Sequence, residues 1–197
     1  MKRLFFALWG LLFLAACGLN ESETAKAPSE KDTAASLAAP SLAREDTARL
    51  IAAVRSEFER VNKAVLTSKK IDWESLPECE PPYMAGSVTY FYDKGILVKI
   101  HNHGAEDHGE WKEDYYFKNG QLIFIYLDNA YGGAANPTEY KYQSRYYFNR
   151  DSLIQKLEPA NPEYGRDAGA IRELILTAGR LYRAKDRIEV SRILTCG

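Results

Sequence analysis

All three histidines of the chain fall in one stretch, His101-Asn102-His103-Gly104-Ala105-Glu106-Asp107-His108-Gly109-Glu110. On a strand His101 and His103 share a side, and a connection that folds His108 back toward them would give nitrogen ligands for zinc or copper. The other reading is a polar loop, in which Gly, Asp and His are ordinary turn residues. Carboxylates crowd the same region: Glu106, Asp107, Glu110, Glu113 and Asp114. Two of them at a set separation would suit a hydrolase. Glu113 stands apart, because the hairpin register derived below puts it among aromatic rings opposite Tyr126. A carboxylate there has a raised pKa or a hydrogen-bond partner, the plainer outcome being a bond to a tyrosine hydroxyl.

Nucleophile and cofactor signatures do not accompany these residues. The chain has no Gly-x-Ser-x-Gly, no phosphate loop and no Gly-x-Gly-x-x-Gly, so no catalytic residue and no cofactor is assigned, with zinc or copper as the alternative. Gly132-Gly133 lie in a loop expected from Asn129 to Thr138, with Tyr131 at its centre as a recognition element. Arg172, Arg180, Arg183, Lys185, Arg187 and Arg192 crowd the end of a helix, where they complement its dipole.

The elements that must position these groups are built on a hairpin unit that occurs three times: Tyr90-Phe91-Tyr92-Asp93-Lys94-Gly95-Ile96-Leu97-Val98, Tyr115-Tyr116-Phe117-Lys118-Asn119-Gly120-Gln121-Leu122-Ile123 and Tyr146-Tyr147-Phe148-Asn149-Arg150-Asp151-Ser152-Leu153-Ile154. Each is an aromatic triplet, a polar turn and an aliphatic return. Asn119-Gly120 suits a two-residue turn with positive φ at both positions, which pairs Phe117 with Leu122, Tyr115 with Phe124 and Glu113 with Tyr126. Strands are expected at 87–92, 96–102, 111–118, 121–127, 139–148 and 153–158. A helix with the stripe Ile51, Val54, Phe58, Val61 and Val65 precedes them, and one with Ile171, Leu174, Ile175, Ala178, Leu181 and Tyr182 follows. The residues between the first helix and Pro82 read as a linker pinned by Trp73 and Tyr83, and Ile188 to Thr195 as a short edge strand or extended segment. The expected fold is therefore α+β: a six-stranded antiparallel meander of three hairpins, packed by an N-terminal and a C-terminal helix.

If both helices cover one face, with Val98, Phe124 and Tyr126 among its core residues, the other face exposes Phe91, Leu97, Tyr116, Ile123, Ile125 and Tyr147. Lys112 and Arg145 border this strip, beside Lys99 and Lys141. Such a strip, together with Tyr131, suits a protein partner or an envelope glycan. With one helix on each face, the strip is core.

The chain opens with Met1-Lys2-Arg3 and an apolar run from Leu4 to Leu14, too short for a membrane span and suited to a signal segment. It ends in Leu14-Ala15-Ala16-Cys17, which resembles the lipobox of bacterial lipoproteins. The resemblance implies cleavage after Ala16, acylation of Cys17 and anchoring in a lipid bilayer, and Gly18 in place of Asp implies the outer membrane, facing the periplasm. Residues 1–16 are then the signal, 17–40 the lipidated N-terminus and a flexible tether poor in large apolar side chains, and 41–197 one domain. Loss of Lys2 and Arg3 takes the mature chain two charges below the −1 of the whole sequence, which disfavours nucleic acid as a partner. With Cys17 acylated, Cys79 and Cys196 remain to pair in an oxidising compartment.

Overall fold

The computed structural model describes residues 38–79, 83–106, 109–133 and 136–196. The signal segment, Cys17 and His108 lie outside these residues. Helix α1 (Ala38–Lys63) leads into strands β1 (Thr67–Glu74), β2 (Ala85–Asp93), β3 (Ile96–Glu106), β4 (Gly109–Lys118), β5 (Gln121–Gly133), β6 (Asn136–Asn149) and β7 (Ser152–Leu157), followed by helices α2 (Ala168–Arg183) and α3 (Arg187–Thr195). The strands form one antiparallel sheet in chain order, so the meander is as expected, but among the described residues it has seven strands, not six.

The added strand, β1, comes from the stretch read as a linker. Its side chains are exposed except Ile71 and Trp73, so only two apolar residues mark it. An outermost strand needs no more, and lysines such as Lys69 and Lys70 discourage pairing with another chain. The supposed edge strand at the C-terminus is instead α3. Asp186 caps it by accepting from the Glu189 amide at 2.9 Å, and Glu189 accepts from the Lys185 amide at 2.8 Å, a reciprocal arrangement that nucleates a helix rather than a strand. Cys79 and Cys196 pair at disulfide distance, with Cα atoms 4.8 Å apart and a sequence separation of 117. The bond ties the residues after β1 to the end of α3.

The three repeated units are alike beyond their letters. Lys94-Gly95, Asn119-Gly120 and Arg150-Asp151 all have positive φ at both turn positions, the geometry that matches the twist of the flanking strands. Just before each turn the register slips by one, between Phe91 and Tyr92, Tyr116 and Phe117, and Tyr147 and Phe148. The extra residues are Val98, Ile123 and Ile154 on the returning strands. Phe117 still pairs with Leu122, but Tyr115 pairs with Ile125 and Glu113 with Leu127. A one-residue slip exchanges faces, so Ile125 and Leu127 join one core while Val98, Phe124 and Tyr126 join the other.

The sheet is buried from both sides. On one face Tyr90, Ile100, Tyr115, Phe117, Ile125 and Tyr146 pack against Ile171, Leu174, Ala178 and Leu181 of α2 and Val190 of α3. On the other, Tyr116, Phe124 and Tyr147 pack beneath Val54, Phe58 and Val61 of α1. The strip proposed as an open binding face is thus corrected at its centre: Tyr116 and Tyr147 are only 1% and 4% exposed. Leu97 is on the α2 face and buried as well. Two helices with single apolar stripes cover more of a two-sided apolar sheet from opposite faces than from one.

Candidate binding site

The strands outrun the helices. β3 and β4 continue to Glu106 and Gly109, and β5 and β6 to Gly133 and Asn136, so the stretches read as polar loops are mostly strand. Alternation then sorts their side chains. On the α1 face, cross-strand rows run Thr89, His101, Asp114, Tyr126, Arg145, Leu157, and next to it Ser87, His103, Lys112, Asp128, Gln143.

His101 and His103 share that face, but each donates to a carboxylate: His101 Nδ1 to Asp114 Oδ1 at 2.7 Å, and His103 Nε2 to Glu110 Oε2 at 3.3 Å. Among the described residues no three metal-ligating groups converge. Asp114 also holds the Lys99 ammonium at 3.0 Å, all three groups being partly buried. Burial pulls the Lys99 pKa down, but the Asp114 charge and the Tyr116 hydroxyl outweigh it, and the ammonium ends above its ordinary value. Burial pushes the Tyr116 hydroxyl up, and the Asp114 carboxylate adds to this.

Glu113, one residue from Asp114, points to the other face. It accepts from Tyr115 Oη at 2.6 Å and from Asn102 Nδ2 at 3.1 Å, while Asn102 Oδ1 accepts from the buried Trp73 indole at 3.1 Å. Glu113 and Asp114 are therefore not an acid–base pair, and Glu113 has the plainer role of binding a tyrosine hydroxyl. Tyr131 lies on the same face as Glu113, stacked on Tyr142, which stacks in turn on Tyr164 of the loop after β7. It is a packing ring at the sheet tip, not the centre of a loop.

Two adjoining depressions open on the α1 face. The outer one, of about 620 Å³, is a polar groove lined by Glu110, Lys112, Asp128, Lys141, Gln143 and Arg145, with Ala130 and Leu157 among its apolar members. The inner one, of about 650 Å³, runs between α1 and the sheet over Tyr116, Phe124 and Tyr147, with Val54 and Phe58 as its wall. Arg145 lines both. Of the residues singled out in sequence, Lys112, Arg145, Tyr116 and Tyr147 meet at these depressions. Phe91 sits at the margin under the Lys99 ammonium, 5.8 Å from its ring. Asp128, Gln143, Arg55 and Phe58 were not read as binding residues. Gln143 lies inside the expected strand 139–148, whereas Asp128 is one residue beyond the expected strand 121–127 and joins its row only in the longer β5; Phe58 reads as part of the helix stripe, and Arg55 falls outside that stripe. Comparison with protein-family models, with curated proteins and with solved structures finds no match for the chain.

Proposed function

We propose that the chain is a lipid-anchored binding module of the bacterial envelope, held to the outer membrane through Cys17, that holds an envelope glycan in the polar groove at the outer end of the sheet. What carries this reading is the lining of that groove: Glu110, Lys112, Asp128, Lys141, Gln143 and Arg145 interleave acceptors and donors along neighbouring strands. A sugar presents hydroxyls and amides that must each be satisfied on leaving water, and planar or charged side chains on rigid strands meet that need. Leu157, exposed at the groove, supplies an apolar contact for a sugar ring. A protein partner is less well matched, because the centre of a protein interface is depleted in charged side chains and each side of a stable one covers about 800 Å².

The test uses the mature chain in detergent micelles, titrated with oligosaccharides of N-acetylated amino sugars. Saturable binding is expected, weakened about tenfold in Lys112→Ala and Asp128→Ala. Failure of every glycan to bind, together with recovery of one stoichiometric protein partner from an envelope extract, would sink the glycan reading. Separately, a palmitate analogue fed to cells should label the protein and not Cys17→Ala; an unlabelled wild type removes the anchor.

A further inference from the structure

The inner cleft calls for a different ligand from the outer groove. Its floor is a ring cluster: Phe58 lies 5.0 Å from Tyr116 and 5.4 Å from Phe124, and Phe124 lies 4.9 Å from Tyr147. At about 650 Å³ it falls within the size range of small-ligand sites and is too small for a folded partner.

The charges at its rim are unequal. Lys99 is matched by Asp114, and Glu59 by Lys63. Two guanidinium groups are left. Arg55 of α1 stands 5.7 Å from the centre of the Tyr147 ring, and Arg145 of β6 stands 5.4 Å from that of Tyr126, both lining the same cleft. Among the described residues neither has a carboxylate partner; Arg145 donates only a 3.4 Å bond to Gln143. An aromatic trough with two planar cations uncommitted at its edge is complementary to an anion that has an apolar body.

We propose that this cleft binds a single-chain amphiphile with a carboxylate or phosphate head, the apolar tail lying along the partly exposed sides of Phe58 and Tyr126, with the packed rings of Tyr116, Phe124 and Tyr147 below, and the head between Arg55 and Arg145. The guanidinium fork accepts either head in a two-point contact, whereas an uncharged head leaves both cations as they are. This site is separate from the glycan reading and stands if that reading fails, since its lining shares only Arg145 with the groove.

The mature chain in envelope membranes is treated with a photoactivatable diazirine derivative of dodecanoate, and the labelled peptides are mapped. Labels are expected on the segments containing Val54 to Phe58 and Phe124 to Tyr126. They should be displaced by excess dodecanoate or dodecyl phosphate and not by dodecanol. In the Arg55→Gln, Arg145→Gln double variant labelling should fall about tenfold, with the melting temperature and the far-ultraviolet circular dichroism retained. Displacement by dodecanoate but not by dodecyl phosphate narrows the head to a carboxylate within the proposed class, and labelling that excess dodecanoate does not displace overturns the proposal. Equal competition by dodecanol, or labelling unchanged in the double variant, overturns the proposal. Glu110→Gln and Lys112→Ala serve as the parallel control: they should change glycan binding and leave the photolabelling as it is.

Discussion

Asp151 illustrates how a single residue can hold a repeat together against its own preference. In the turns at Lys94-Gly95 and Asn119-Gly120 glycine takes the second positive-φ position, but in the third unit Asp151 does so at φ 62° after Arg150 at 50°. Left-handed backbone costs an ordinary L-residue about 1 to 2 kcal/mol, less for Asp, whose short side chain bonds locally. Asp151→Gly should therefore raise stability by about 0.5 to 1 kcal/mol, read as a higher denaturant midpoint at unchanged slope. Tyr116 carries the opposite lesson. As a residue of an exposed strip it would tolerate serine, but it is 1% exposed, and its hydroxyl donates to Asn62 Oδ1 at 3.1 Å. Tyr116→Ser should destabilise by about 3 to 5 kcal/mol, the range for deleting a buried ring. A change below 1 kcal/mol in a chemical denaturation experiment would contradict its place under α1.

At the scale of elements, the docking of α1 is electrostatic at its C-terminal end as well as apolar along its stripe. Arg60 donates to Glu57 at 2.8 Å and to Asp93 at 2.6 Å, next to the first hairpin turn, and Lys118 beside the second turn lies 3.7 Å from Glu57. The hydrogen bond from Arg60 holds the Glu57 carboxyl below its ordinary 4.5, against the upward pull of burial. Glu158 is also lowered: burial pushes it up, but Lys156, the Arg166 amide and the Tyr146 hydroxyl together prevail. A lowered carboxylate pKa means that the unfolded chain binds the proton first. The stabilisation is therefore complete above about pH 4.5 and drains away as the pH falls through the lower folded values. Melting temperature should decline below about pH 4.5, and Glu57→Gln should flatten the part of that slope due to α1. An identical slope in the variant would place the acid sensitivity elsewhere.

For the whole molecule, the Cys79–Cys196 pair spans 117 residues and encloses all but the first strand and α1. Closing so long a loop restricts the unfolded chain, so reduction should lower stability by about 2 to 4 kcal/mol. The loss should show first at α3, which the bond tethers at its end and which otherwise holds to β1 by the core packing of Val190 and by two polar ties: the Ser191 hydroxyl accepts from the Glu74 amide, and Arg187 pairs with Glu74. Hydrogen exchange after reduction is expected to speed up in residues 187–195 before the central strands. Uniform acceleration across the sheet would show instead that the bond supports the molecule as one cooperative unit.

Local chemistry was legible in the order of residues. The positive-φ turn follows from Asn119-Gly120, helix periodicity from stripes at three and four, and the pairing of Cys79 with Cys196 from there being two cysteines left once Cys17 is set aside. α3 carried a readable signal too, Asp186-x-x-Glu189 before Val190 and Ile193, which outweighs the alternation of Ile188 and Val190. The bulges were half legible: each returning strand opens with two aliphatics, Leu97-Val98, Leu122-Ile123 and Leu153-Ile154, yet either residue could be the extra one or neither. Only the folded sheet decided that, because a slip is fixed by which side chains two faces can bury at once. The same holds for the site. Whether Tyr116 and Tyr147 form an open strip or the floor of a cleft depends on which side α1 crosses, and a helix stripe says that it must cover something without saying what.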